Sequence, residues 1–256
     1  LFNVFYAELL KLKHSRMFWL VLVGALPANL ITLFVMMPKV SMDGARVGVD
    51  MMYVFYRQGM MLVMMGPSMF TIMAAYIFAR EYQERTINQL FSYPISRIRI
   101  LAAKLSVVFA LIAVTAALSS ILALGVGVVQ LIKQNAEWNT IWLGIRMNLM
   151  VIVLSFGTVP VAAAFGMAGK SVIPAAVVGS FATIVTVIGE IGHGRQSILF
   201  PWLTSYGPVR RMAQEIAQAG SNPYEPTAAL ILTVVFLVSL TYCLFHYVRT
   251  DVHSGS

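Results

Sequence analysis

The chain has 256 residues, of which 59% are hydrophobic and 11% charged, whereas soluble domains carry about 45–50% apolar and about 25% charged residues. A water-soluble core of this size cannot hide that surplus, because burial saturates near three-quarters of the surface, so a soluble globular domain is excluded and lipid is expected around the protein. The formal charge of +8 does not indicate a nucleic-acid partner, since Lys and Arg lie between apolar runs rather than on one basic face.

Residues 2 to 16 place Phe2, Phe5, Leu9 and Leu12 at helical spacing with Glu8, Lys11 and His14 turned elsewhere, the pattern of an amphipathic helix lying in the headgroup region. The simpler alternative is the positively charged foot of the first span. That span follows Lys11, Lys13 and Arg16 and is long enough to cross, so it is expected to be a retained helix and not a cleaved signal peptide. Roughly 20 apolar residues cross a bilayer core of about 30 Å. Six segments meet the test: 17 to 37, 58 to 79, 104 to 132, 141 to 168, 172 to 192 and 228 to 248.

The second span and its approach are rich in methionine, with Met61, Met65 and Met69 on one stripe. Methionine suits adaptable apolar surfaces, so the stripe offers a substrate-facing surface, although helix packing is the simpler reading. Beyond that span, Glu81 and Arg85 stand four apart in the favourable order for a helical pair, and Ile87, Leu90 and Phe91 fall on one helical face. Pro94 ends this helix and Ser96 can cap the next, where Arg97, Arg99 and Lys104 lead back to the membrane. The expected product is a short surface helix with an apolar ridge, which either lies on headgroups or docks into a groove on a soluble partner. Periodicity does not choose between them.

The third and fourth spans exceed the minimum length, and Pro160 offers a kink in the fourth. Gly169-Lys170-Ser171 superficially matches a phosphate-binding loop, but the motif needs glycine where Ala164 stands and a preceding strand where an apolar helix is expected. A tight turn is the ordinary reading. Glu190 and His193, three apart at the end of span five, could share a proton, and Glu190 is expected at the outer interface. In the 193 to 227 connection, Leu199, Phe200, Trp202 and Tyr206 form an interfacial aromatic group, followed by the helical stripe Val209, Met212, Ala213 and Ile216. Arg210 and Arg211 there could meet lipid phosphates or an anionic substrate, with Arg211 paired to Glu215. Small-residue pairs such as Gly24 with Ala28, Ala162 with Gly166 and Ala175 with Gly179 permit close helix approach.

The fold class is therefore all-α: one polytopic membrane domain over residues 1–256 with six transmembrane helices, an N-terminal interfacial helix and a short surface helix between the second and third spans, which the resemblance described below makes a cytoplasmic coupling helix. An even span count puts both termini on one side. With the N-terminus inside, ten Lys and Arg residues fall inside and eight outside. That majority is narrow, and the basic cluster before the first span favours cytoplasmic termini. The four histidines are scattered, no two forming a metal-ligand pair within a helical turn. No catalytic residue, metal site or cofactor site is expected on this chain.

The run from Glu81 to Lys104 resembles the coupling-helix region of ABC-type-2 export permeases, through Glu81, Thr86, Leu90 and Pro94-Ile95-Ser96-Arg97. The opening Tyr6-Ala7-Glu8-Leu9-Leu10-Lys11-Leu12-Lys13 is similar to the start of permeases in the bacitracin-resistance and lantibiotic-immunity branch. The resemblance implies a pair of permeases, identical or related, carried on two copies of a cytoplasmic ABC ATPase that binds the ATP and Mg. It assigns ATPase coupling to Glu81, Thr86, Leu90, Pro94 and Arg97, and the helical pair and apolar ridge read above add Arg85, Ile87 and Phe91 to that expectation. It further implies a bacterial cytoplasmic membrane and an exported amphipathic substrate, a peptide antibiotic or alternatively a lipid or other hydrophobic compound. A stand-alone secondary transporter would show paired repeats or interrupted helices with charged midplane residues, where these spans offer only neutral polar groups such as Asn29, Thr32 and Ser155, and an embedded enzyme would show a clustered acid, base or metal set.

Overall fold

The computed structural model describes residues 2–13, 15, 17–37, 39–40, 46–84, 86, 95–133, 136–192, 194–216 and 222–249. A short helix α1 (Phe2–Leu12) precedes α2 (Met17–Val35). A two-residue antiparallel hairpin, β1 (Lys39–Val40) and β2 (Arg46–Val47), pairs Lys39 with Val47 and Val40 with Arg46. Then come α3 (Met51–Gln83), α4 (Arg97–Ile132), α5 (Trp138–Phe156), α6 (Val159–Ala168) and α7 (Ile173–Ile191). A 3-10 turn at Arg195–Leu199, α8 (Pro201–Thr204) and α9 (Gly207–Ile216) lead to α10 (Glu225–Arg249). Six helical segments are long and apolar enough to cross a membrane: α2, α3, α4, α5 with α6, α7 and α10. The protein is an all-α polytopic membrane protein.

Two spans are longer than their apolar cores suggest. At 1.5 Å per residue α3 and α4 reach about 50 Å, so both project past a hydrocarbon core of about 30 Å. Asp50 starts α3 early, its carboxylate accepting from the Met52 amide at 2.9 Å. At the other end α3 runs on to Gln83, so Glu81 belongs to the last turn of the span itself and not to a separate surface helix. Ser96 does occupy the cap position of α4, but its side chain makes no capping bond.

The centre of the bundle is α3, which packs against α2, α4, α5, α6, α7 and α9. Phe55, Leu62, Val63, Met73, Phe78 and their neighbours on it are buried in one apolar core with Val108, Ile112, Val151 and Met167. The outer faces of α2, α7 and α10 instead show Trp19, Leu30, Phe181, Ile188, Leu237 and Phe245, apolar side chains that call for lipid or another apolar surface against them. The hydroxyls inside the spans fold back on their own helices. Thr32, Thr115, Ser119, Ser120 and Thr186 each donate to the carbonyl four residues earlier.

Two glycines set the closest helix approaches. A β-carbon on Gly166 would lie 3.1 Å from the Ala75 Cα, and one on Gly179 would lie 3.1 Å from both the Pro67 carbonyl oxygen and the Ser68 Cα. Their partners in the small-residue spacing, Ala162 and Ala175, are buried as well, so these pairs serve packing within the chain. The contact at Gly179 coincides with a weak point of α3. Pro67 cannot donate to the preceding turn, and the next amide, Ser68, donates sideways to the Thr183 hydroxyl of α7 at 3.0 Å. The fourth span is interrupted in a similar way. Its two helices part at Gly157 and Thr158, with Pro160 in the first turn of α6, where a missing amide is tolerated.

Gly179→Val should force α7 away from α3 and lower stability by about 1–3 kcal/mol, the usual cost of overpacking. Ala176→Val on the same helix, where the side chain is less enclosed, serves as the control. Thermal unfolding in detergent reads both, and equal melting temperatures for the two variants would contradict the packing assignment.

Candidate functional site

At the end of the bundle where α3 stops and α4 begins, four ionised side chains meet. Lys104 is 1% exposed, Glu8 6% and Glu81 5%. The Lys104 ammonium donates to Glu8 Oε2 at 2.9 Å, to Glu81 Oε1 at 2.7 Å and to the Ile77 carbonyl at 3.4 Å. All three of its N–H donors are thereby placed. Lys11 donates to Glu8 Oε1 at 2.6 Å and to Glu81 Oε1 at 3.1 Å. Two carboxylates and two ammonium groups balance, which is the condition under which buried charge is tolerated.

Glu8 and Lys11 come from α1, Glu81 from α3 and Lys104 from α4, so the cluster ties the three helices together. Helix α1 turns Phe5, Glu8 and Leu12 toward the bundle, with Val4 beside them, while Tyr6, Leu9 and Leu10 remain exposed. This corrects the sequence reading at one point: Glu8 and Lys11 are not turned away from the face of Phe5 and Leu12, and Leu9 is exposed apart from that face. Phe2 has its side chain outside the described ones. Arg80 adds a second tie, donating to the Lys11 carbonyl at 2.8 Å and to Glu84 at 2.7 Å, which satisfies one of the free carbonyls at the end of α1. A cavity of about 270 Å³ beside the cluster is lined by Glu8, Lys11, Arg80, Glu81, Thr86 and Lys104 among others.

Of the residues assigned to coupling, Glu81 is in the cluster and Thr86 lines its cavity, the Thr86 amide donating to the Glu81 carbonyl at 3.0 Å. Arg97, in the first turn of α4, donates to the Val248 and Tyr247 carbonyls at 2.8 and 3.4 Å. It therefore closes the free carbonyls at the end of α10 and brings the ends of α1 and α10 to one side of the bundle. Arg85, Ile87, Leu90, Phe91 and Pro94 lie outside the described residues, as does the proposed pairing of Arg85 with Glu81. The carboxylate of Glu81 is engaged by the two lysines.

The residues considered for substrate or lipid contact divide into several places. Met61, Met65 and Met69 are half-buried along α3. Met69 packs toward Gly24 of α2. Glu190, Tyr206 and Arg210 form a second ionic group at the opposite end of the bundle. Tyr206 donates to Glu190 Oε1 at 2.8 Å, and Arg210 donates to Glu190 Oε2, the Gly189 and Gly194 carbonyls and Ser197 Oγ at 2.8–3.3 Å. Burial, with the Glu190 charge beside it, pushes the Tyr206 phenol well above its ordinary value and keeps it a donor. Arg210 is thus built into the fold, while Arg211 reaches Glu225 at 2.6 Å. The expected partner Glu215 has its side chain outside the described ones, and His193 lies outside them too.

The sequence named Glu8, Lys11 and Lys104 without joining them. The readable part was the opposite-charge spacing of Glu8 and Lys11; their meeting with Lys104 depends on tertiary structure. Among the described residues there is no group of three or more His, Cys, Asp or Glu side chains able to hold a metal. Gly169 and Lys170 form a tight turn after a helix, Lys170 taking φ 47°, so the structural setting of a phosphate-binding loop is missing there.

Burial works to raise the Glu8 carboxyl, but the Lys104 charge and the bonds from both lysines outweigh it and hold the group below its ordinary value. Burial likewise works to lower Lys11, and the Glu8 bond with the Glu81 and Glu8 charges outweighs that and raises it. The Glu8 contribution is therefore present above the ordinary carboxylate pKa and lost as pH falls through the depressed value. The Lys11 contribution is present below the ordinary lysine pKa and lost as pH rises through the raised value. The melting temperature is expected to be flat between about pH 5 and 9 and to drop in acid; a step near neutrality would contradict this cluster. Lys104→Met should leave two buried carboxylates under-compensated and cost about 3–5 kcal/mol. The triple change Glu8→Gln, Glu81→Gln, Lys104→Met should recover much of the loss in thermal unfolding, and a single variant that melts like the wild type would remove the structural role given to Lys104.

A family model described as ABC-2 family transporter protein matches residues 4–186, a stretch that includes most of α1, the ionic cluster, four whole spans and most of the fifth. No curated protein matches the chain.

Proposed function

The chain belongs to the ABC-2 transporter family, and on that premise we propose that it is the permease of an ATP-driven exporter whose cargo is an amphipathic molecule, a membrane-active peptide antibiotic in particular. As a family member it is the membrane-spanning component of an ABC transporter and works with an ABC ATPase. The finer reading gives it two copies of a cytoplasmic ATPase carrying the ATP and Mg, and a second permease, identical or related. It lies in a bacterial cytoplasmic membrane with both termini cytoplasmic, and its function is immunity or resistance.

The observation that carries the coupling part of this reading is the buried cluster of Glu8, Lys11, Glu81 and Lys104. The segment between α3 and α4 begins just after Glu81, and α4 brings Lys104 back two turns after Arg97. A push delivered to that segment by a partner reaches a charge-locked joint of three helices instead of a flexible loop. Burial of the joint makes separation of its members costly, so α1, α3 and α4 respond together. The ridge of Ile87, Leu90 and Phe91 is the proposed contact for the ATPase, with Arg85, Thr86, Pro94 and Arg97 shaping the segment around it. The peptide cargo is supported by the similarity of residues 6–13 to the immunity branch, and an apolar cargo surface by Met61, Met65 and Met69 on α3.

Co-expression with the neighbouring ATPase tests the reading. The ATPase should co-purify with the wild-type chain, and Leu90→Asp with Phe91→Ala should release it, because truncating a buried anchor costs about 2 kcal/mol or more, roughly a thirtyfold loss of affinity. Retention at wild-type yield, with transport intact, would remove the coupling role of the segment. For orientation, cysteines replacing exposed Gln83 and exposed Lys133 mark opposite ends of the bundle, and native Cys243 is buried. A membrane-impermeant thiol reagent should label only the Lys133→Cys variant in intact cells; labelling of Gln83→Cys alone would invert the proposed topology.

A further inference from the structure

At the end of the bundle away from the ionic cluster, α5 and α9 enclose a cavity of about 190 Å³. Two guanidinium groups, Arg146 and Arg211, line it together with Met147, Met150 and Met212. Arg146 is exposed, and among the described residues no group pairs with it. Its position on α5 is unusual because Trp142, Leu149 and Val153, which share its helical stripe at spacings of three and four, are exposed apolar residues. A cation standing alone in a lipid-facing stripe calls for a counter-ion.

Depth fixes what that counter-ion is. Roughly 20 residues cross the hydrocarbon, so counting back from Ala168 at the far end of α6 puts the boundary near Leu149. Arg146 then stands at the level of lipid phosphates, with Leu149 and Val153 beside the acyl chains and Trp142 on the aqueous side. Arg211 is half exposed and aims both Nε and Nη2 at Glu225 Oε2, at 2.8 and 2.6 Å. Of the five donors on a guanidinium, the rest are left for another acceptor. Counting Glu225, the site keeps a net charge of +1 from these three side chains. Arg210 contributes nothing here, being directed at Glu190.

We propose that this cavity holds the phosphate of an anionic amphiphile between Arg146 and Arg211, with its acyl chain lying along Leu149 and Val153. The guanidinium plane matches phosphate geometry in a way an ammonium would not. The site stands independently of the cargo proposed above, since it rests on the charge, depth and neighbours of Arg146.

Native mass spectrometry of the purified full chain, titrated with phosphatidylglycerol and with phosphatidylcholine, provides the test. The wild type should retain phosphatidylglycerol in preference, and Arg146→Gln should weaken that retention about tenfold while Lys133→Gln, an exposed cation of the same end, leaves it unchanged. Equal retention by Arg146→Gln and wild type, or an equal loss in Lys133→Gln, would overturn the site. Inorganic phosphate should not displace the lipid at millimolar concentration; displacement would make this a free-phosphate site and refute the amphiphile. Should Arg146→Gln fail to fold, phosphatidylglycerol carrying a headgroup photolabel should cross-link the wild-type chain within residues 143–153, and cross-links confined elsewhere would refute it.

Discussion

An ammonium group that is 1% exposed has to find opposite charge or lose its own, and in this protein that requirement fixes how three helices meet. Lys104 draws Glu81 from the end of α3 and Glu8 from α1, and Lys11 completes the balance. Because the two carboxylates would repel each other without the lysines, no member can leave alone at low cost. The surface helix α1 is consequently part of the bundle, although its exposed residues Tyr6, Leu9 and Leu10 still present an apolar side to the headgroup region. The ends of α1, α3, α4 and α10 share this side of the molecule, the last through the guanidinium of Arg97.

Away from that joint the bundle is held by shape more than by polarity. Helix α3 is enclosed on most sides, and its neighbours approach closely where Gly166 and Gly179 leave room for backbone. Several of the polar groups that remain are satisfied locally or in pairs: Gln58 and Asn148 exchange amide hydrogen bonds at 3.2 Å between α3 and α5, and Asn29 of α2 donates to the Leu118 carbonyl of α4 at 2.8 Å. In a membrane, where lipid tails are as apolar as leucine, such small residues and paired amides contribute what a hydrophobic core contributes in water.

Much of this was legible in the sequence. Apolar runs of the right length place all six spans, because the demand of the bilayer for about 20 residues is nearly independent of tertiary context. The ends of the helices were less legible: α3 begins before its apolar run and continues beyond it, since projecting turns obey capping and packing instead of hydropathy. The face of α1 was misread for a related reason. Periodicity sorts Glu8 as polar and therefore outward, and only the arrival of Lys104 from a distant segment makes an inward carboxylate favourable. Arg210 gave the same difficulty, as its partners Glu190 and Ser197 come from elsewhere in the fold. The ridge of Ile87, Leu90 and Phe91 lies outside the described residues, so its role rests on pattern and resemblance.

Three of the spans carry a proline or a break in their interior. Pro27 in α2, Pro67 in α3 and the break at Gly157 and Thr158 ahead of Pro160 all fall within the spans, so several of the central helices are jointed rods and not rigid ones. A lever with a joint does not copy at its far end the displacement applied at its near end; it converts part of that displacement into a change of angle. At Pro67 the joint is also clasped from the side, because the Ser68 amide is held by Thr183 of α7. Bending there either carries α7 along or releases a hydrogen bond, which makes α7 the companion of any swing between the two halves of α3.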